Sequence, residues 1–349
     1  MKRIAFAVPG DLQTLTGGYA YDRRIIAELQ SLGFTLDVLS LGEGFPFPSA
    51  AAREGALKRL MALPDGLPVI VDGLALGVLP DEAKRISGAR PLVALVHHPL
   101  ALETGLSKAD AKRLFESERK ALSFARAVIV TSPSTRIDLA EDYGVPPERI
   151  TVAPPGTERG VPAKGSTDGT IRLLSVGAVV PRKGFDILIA SLAPIARLPW
   201  HLTIAGDLAR DEAEAAKLKA AIAKHKLSKR VDLLGTVQPE RLPGLYAAAD
   251  IFVLASHFEG YGMAYAEAMA HGLPIIGTRG GATIDTVPQE AGFLVETGNT
   301  EAMTRSIKFL IQHEEVRRDF AAAALAAAAK LPTWEGSAKI VASALKELA

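Results

Sequence analysis

Short runs of uninterrupted apolar residues, many of them β-branched, recur along the chain, each followed by a stretch whose apolar positions have helical spacing. Residues 4–8 form the first run, with a helix expected near 19–32 and a second strand over 35–39. Residues 69–72, 93–97 and 127–131 continue the series. Runs that are apolar at every position, rather than at alternate ones, mark strands covered on both faces, as in a parallel sheet. Strands alternating with helices make a doubly wound α/β domain. At Val152-Ala153-Pro154-Pro155-Gly156 the rhythm stops, and about fifteen residues rich in Pro, Gly, Lys, Ser and Thr follow, a composition suited to an exposed linker. It then resumes: residues 171–177, 200–205, 231–234, 251–255, 274–277 and 292–295 read as strands with helices between them. The alanine run at 321–329 is a strong helix former, and residues 334–348 make an amphipathic helix with Ile340, Val341, Ala344, Leu345 and Leu348 on one side. Two α/β domains with a cleft between them are therefore expected, and ligands bind such sheets outside the carboxyl ends of the strands.

Length agrees with two domains, because 349 residues exceed the size at which a single core keeps growing. Apolar residues make up 48% and charged residues 23%, the balance of an ordinary globular protein. A net charge of +1 and few aromatics give no field or stacking platform for nucleic acid. The absence of cysteine removes disulfides, thiolate metal sites and cysteine nucleophiles together. No stretch has the ~18 uninterrupted apolar residues of a membrane span, and the run after Met1-Lys2-Arg3 is too short for a signal peptide. A cytoplasmic protein is expected. The mixed charges of residues 108–126 suit a solvated helical face, with an anionic membrane surface as the other reading.

The most informative segment runs from Ala255 to Gly277 and contains Glu259-Gly260-Tyr261-Gly262-Met263 and Glu267. It follows an apolar strand, so Glu259 is expected at the strand's carboxyl tip, with Gly260 to Gly262 turning into a helix that carries Glu267 about one turn along. Glycines there let a ligand approach the backbone, and free amides at a helix start favour an anion. The two carboxylates can face one pocket and accept hydrogen bonds from paired hydroxyls, each charged bond being worth ~1.5–3 kcal/mol. A solvated pair is the plain alternative. A glycosidase would need carboxyls ~5–9.5 Å apart across the bond, and neither residue sits on a separate strand end facing the other. Pro181-Arg182-Lys183-Gly184 follows the first strand of the second domain and combines a planar guanidinium with a compact ammonium, suited to two adjacent phosphates. In the first domain, Gly17-Gly18 opens the first helix, and His97-His98-Pro99 ends a strand at the same edge, one imidazole of the pair facing the cleft. No G-x-G-x-x-G follows either first strand, which counts against a nicotinamide dehydrogenase, and no His/Asp/Glu cluster has metal-ligand spacing. His257 and His271 read as structural.

Together these residues resemble the retaining GT-B glycosyltransferases of family four, which carry an E-x₇-E motif, and the resemblance covers nearly the whole chain. Glu259 to Glu267 fits the motif, Pro181-Arg182-Lys183-Gly184 the phosphate site, Gly17-Gly18 the glycine loop, His97 the histidine after the fourth strand, and Pro155-Gly156 the interdomain signature. Trp334 and the last helix resemble a crossover in which the chain packs back on the first domain, implying domains of 1–159 with 334–349 and of 160–333. The resemblance implies that Arg182 and Lys183 bind the donor diphosphate, that Glu267 holds the nucleotide ribose, and that Glu259 holds the transferred sugar with the amides of Gly260, Tyr261, Gly262 and Met263. It places Gly18 near the phosphates and His97 near the sugar. It further implies a nucleoside-diphosphate sugar as co-substrate, no metal, and transfer with retention to a saccharide, lipid-linked or small-molecule acceptor. Two features depart from the family: Ala282-Thr283-Ile284-Asp285 stands where many members have a Gly-Pro-Glu turn, and His98 replaces a common Asp or Asn. A sugar-nucleotide epimerase of the same fold and a non-catalytic nucleotide-sugar-binding partner of another transferase are the rival readings.

Overall fold

The computed structural model describes residues 2–348. The chain forms two compact units: one runs to Gly156 and takes up the chain again from Pro332, and the other is Thr157–Leu331. No helix among the described residues is long and apolar enough to cross a membrane.

The first unit is built on six parallel strands: β1 (Lys2–Val8), β2 (Phe34–Ser40), β3 (Val69–Asp72), β4 (Leu92–Val96), β5 (Ala127–Val130) and β6 (Ile150–Val152). Their order is β2-β1-β3-β4-β5-β6. β3, β4 and β5 are buried at every position, the condition their apolar runs predict, with Asp72 at the end of β3 the one polar residue among them. β6 is absent from the pattern reading because it is short, contains Thr151, and lies half-buried at the sheet's edge. The helix Gly17–Ser31 starts where Thr16 accepts a hydrogen bond from the Tyr19 amide, and it buries Tyr21, Asp22, Ile25, Ile26 and Leu29. The last helix, Trp334–Lys346, packs on it: Trp334 meets the edge of Tyr21 at 5.9 Å between ring centres, and the Arg24 guanidinium lies 5.2 Å over the indole. Ser337 donates to the Pro154 carbonyl, fastening the same helix to the end of β6.

The second unit repeats the design with β7 (Ile171–Val176), β8 (Trp200–Ala205), β9 (Val231–Gly235), β10 (Ile251–Val253), β11 (Ile275–Thr278) and β12 (Gly292–Val295), all parallel, in the order β12-β11-β10-β7-β8-β9. This is the Rossmann order, with β7 and β10 flanking the point where the winding reverses. Loops leaving adjacent strands there diverge to opposite faces and open a crevice, so segments 177–184 and 254–262 emerge where a ligand is expected. The alanine run lies in the helix Glu314–Ala328.

Several boundaries shift by one to three residues from the sequence reading, and one of these shifts bears on the site. β10 stops at Val253 instead of continuing to Ala255, because the chain then bends to bond with the turn after β7. Glu259 is therefore carried on a loop beyond the strand, not at its tip.

Candidate functional site

In the second unit the turn after β7 is a single 3₁₀ turn, Pro181–Lys183, closed by Gly184. Gly184 has φ 60°, in the left-handed region, and a Cβ there would lie 2.1 Å from the Ala255 carbonyl oxygen. Only glycine lets the turn press this closely on the segment leaving β10. The contact is completed by the His257 amide, which donates to the Arg182 carbonyl at 2.8 Å.

The result is a charged cluster. Lys183 Nζ stands 2.6 Å from Glu259 Oε1, and Arg182 Nη1 lies 3.5 Å from Glu259 Oε2 while donating to the Phe258 carbonyl at 2.8 Å. Ser256 Oγ donates to Glu259 Oε1 at 2.6 Å. Residues 76 or more positions apart in sequence thus share one carboxylate. The lysine ammonium predicted for phosphate is already paired here, so a ligand must share it with Glu259 or displace the carboxylate. Burial alone would raise the carboxyl of Glu259, but the Lys183 and Arg182 charges and the Ser256 hydroxyl outweigh it and hold the pKa down at about 2. A depressed acid stabilises the fold above its unfolded pKa, and this contribution disappears as pH falls through about 2.

The backbone of Glu259 is fixed by the loop after β11: its amide donates to Gly280 O and its carbonyl accepts from the Ala282 amide. Tyr261 is buried, with its carbonyl receiving the Thr286 hydroxyl, and Gly262, at φ 91°, turns the chain into the helix Met263–Ala270. Met263 opens that helix, so its amide and those beside it are first-turn donors. Ala282-Thr283-Ile284-Asp285 runs into a short helix, Thr283–Thr286, held by Thr283 Oγ1 donating to Gly280 O. Glu267 lies one turn along Met263–Ala270 and accepts from Tyr246 OH at 2.7 Å. Burial pushes its carboxyl upward, with the Tyr246 bond opposing and the charge of Glu158 adding to the rise. His271, at the end of this helix, is buried, and its Nδ1 lies 2.7 Å from the Val161 carbonyl, a structural role.

The first unit brings Gly18 and His97 together: a Cβ on Gly18 would lie 3.3 Å from the His97 ring. Gly17 and Gly18 are the first two residues of the opening helix. Sequence reasoning missed the partners of His97. Its Nε2 lies 3.2 Å from Asp22 Oδ1 and 3.5 Å from Asp72 Oδ2, and the Tyr21 ring meets it edge-on at 5.4 Å. His98 instead pairs with Glu103 at 3.4 Å. One signal for Asp22 was readable: an acid occupies the apolar register of a helix whose neighbours Tyr21, Ile25 and Leu29 are core. Asp22, Asp72 and His97 have donor atoms within 4.8 Å of one another, the proximity a metal site needs, although no spacing in the sequence shows it. Three elements contribute one residue each, so folding alone assembles the group. An imidazole proton shared between two carboxylates accounts for its distances.

Burial would lower the pKa of His97, but Asp22 and then Asp72 overcome it and raise it to about 10, while burial raises that of Asp22. A raised histidine stabilises the fold fully below ~6.5, and the contribution is lost as pH climbs through about 10. Asp22→Asn is expected to bring the His97 titration midpoint down by about two pH units or more, read from the imidazole C–H resonances across pH. An unmoved midpoint would show that Asp72 alone sets the charge.

The charges on the helix Lys108–Leu122 are largely paired on the surface: Lys112 with Glu116, Arg113 with Asp110, and Lys120 with Asp81. These pairs lie on the exposed side of the helix.

Residues 158–326 match the family Glycosyl transferases group 1, and residues 69–159 match Glycosyltransferase Family 4. Among curated relatives, the chain is 37% identical over 171 residues to mannosylfructose-phosphate synthase of Agrobacterium fabrum, a match covering 43% of this chain and 37% of the relative. It is 29% identical over 244 residues to D-inositol 3-phosphate glycosyltransferase of Acidothermus cellulolyticus, covering 62% and 54%. The chain thus spans between about a third and about half the length of these relatives. Sucrose-phosphate synthase from Thermosynechococcus elongatus superposes with a TM-score of 0.82 at 20% identity, covering 99% of both chains. Anabaena HepE, solved in complex with UDP and glucose, superposes with 0.77 at 19% identity, covering 99% of this chain and 100% of the other. These structures share the GT-B fold with this chain.

Proposed function

We propose that this chain, which belongs to the group 1 glycosyltransferases, moves a sugar from a nucleoside-diphosphate sugar to an acceptor hydroxyl with retention of anomeric configuration. The observation that carries this reading is the convergence of Arg182 and Lys183 on Glu259 at the crevice between β7 and β10. Two cations and one anion leave a net positive cluster, suited to a diphosphate. As the bond from the sugar's anomeric carbon to the diphosphate breaks, the leaving group takes the electron pair. Fixed cations stabilise that developing charge more than they tighten ground-state binding. They supply the charge a divalent ion would otherwise bring, so donor binding is expected to need no metal. Glu259, shifted from its cations by the incoming phosphates, accepts bonds from the sugar hydroxyls, and Glu267 accepts from the ribose. The acceptor hydroxyl attacks from the leaving-group side, and its proton passes to the departing phosphate oxygen.

The test is incubation with UDP-, GDP- and ADP-sugars, with and without neutral and phosphorylated polyol or sugar acceptors. Nucleoside diphosphate should be released in step with a new glycoside whose anomeric proton coupling matches the donor's configuration. An inverted product would remove retention, and an epimerised donor formed without acceptor would replace transfer altogether. Glu267→Ala should weaken nucleoside diphosphate binding about tenfold or more, as the loss of one charged hydrogen bond implies. Calorimetry showing equal affinity would take Glu267 out of the ribose site.

A further inference from the structure

Tyr246 is fully buried, at the end of the short helix Leu242–Ala247, and its hydroxyl gives Glu267 Oε2 the only hydrogen bond that this carboxylate makes among the described residues. Its ring lies flat on the imidazole of His271, 5.2 Å between centres and 14° from parallel. His271 is itself immobilised: Nδ1 faces Val161 O, its carbonyl accepts from the Ala163 amide at 2.8 Å, and a Cβ on Gly160 would lie 2.6 Å from the ring. The phenol thus has one orientation, and Glu267 is gripped at one oxygen and left open at the other.

We infer that Tyr246 is a positioning residue for the nucleotide site: it fixes the Glu267 carboxylate with Oε1 turned to the ligand and keeps it ionised for hydroxyl recognition. This rests on the reading of Glu267 as the ribose acceptor. A carboxylate that receives two ribose hydroxyls must be charged and must present a fixed edge, because a freely rotating acid would lose orientation on binding. The groups facing Glu267 act in opposite senses. Burial and Glu158 favour its neutral form, and the Tyr246 hydroxyl favours the charged one. His271 touches the ring of Tyr246 and contributes packing. Loss of the hydroxyl therefore favours the protonated carboxyl, and the ionised fraction that remains shrinks most at the acid end of the pH range.

Tyr246→Phe keeps the ring and its stack. Calorimetry would follow UDP, or whichever of UDP, GDP and ADP binds tightest, together with its 2′-deoxy form, from about pH 5.5 to about pH 8.5, a range on the alkaline side of an ordinary carboxyl. In the variant, ribonucleotide affinity should fall roughly five- to tenfold at the acid end and by a smaller factor, from lost orientation alone, at the alkaline end, while turnover at saturating donor stays within about twofold. The preference for ribose over deoxyribose should shrink in the variant at low pH. A loss equal at every pH, or no loss, with wild-type preference for ribose intact, would overturn the positioning role alone. A wild-type protein that does not distinguish the two sugars would remove Glu267 from the ribose, and the role of Tyr246 with it.

Discussion

Lys183→Ala should lower turnover by ~10²-fold or more while weakening donor binding far less. The ammonium sits 2.6 Å from Glu259 on a turn fixed by Gly184 and the His257 amide, so it is preorganised rather than recruited. Charge that is already in place costs no reorganisation when the diphosphate departs, and its effect is concentrated in the transition state. The same substitution has a structural cost. Glu259, with only 7% of its side chain exposed, would keep just the more distant Arg182 as a charge partner, and an unpaired buried charge destabilises a fold. Turnover must therefore be measured at saturating donor, well below the variant's melting temperature. Unchanged turnover with a raised donor KM would show that Lys183 binds without assisting bond cleavage.

Gly184→Ala is the second large effect, and it acts through the backbone. A non-glycine residue at φ 60° costs ~1–3 kcal/mol by itself. The added methyl would also stand 2.1 Å from the Ala255 carbonyl oxygen, which cannot swing aside as a side chain could. The turn must move off the β10 segment, separating Arg182 and Lys183 from Glu259. A total loss of ~3 kcal/mol or more is expected, together with loss of donor binding. Gly169→Ala is the control, because Gly169 has φ 79° with nothing within 4 Å of the added carbon. Denaturant midpoints that fall equally in both variants would show that the close approach contributes nothing.

Much of the architecture was written in the hydrophobic rhythm, because strands buried on both faces must be apolar throughout. Eleven strands fell near their observed places; β6 escaped because a three-residue edge strand with a threonine has no such signature. The end of β10 was misplaced for a different reason. Leu254 and Ala255 are as apolar and buried as the strand, but only the Leu254 amide still bonds to β11, while Ala255 lies against the turn at Gly184. At the site, Arg182, Lys183, Glu259 and Glu267 were readable because each lies in a short contiguous motif beside a strand. Their mutual pairing was not, since it depends on which strands are neighbours. Asp72 and Tyr246 were illegible for the same reason: each meets its partner only across elements. Asp22 gave a partial signal, an acid in the apolar register of its helix, but its pairing with His97 gave none.

The return of the chain to its first unit after Leu331 bears on how the protein is made. The second unit is one uninterrupted stretch and can finish folding as soon as it clears the ribosome. The first has to wait, with Tyr21 lacking its contact to Trp334, until Trp334 and its helix have been synthesised. Synthesis that stalls just short of Trp334 would therefore release a complete second unit tethered to an unfinished first one, the species that a chaperone would find most exposed.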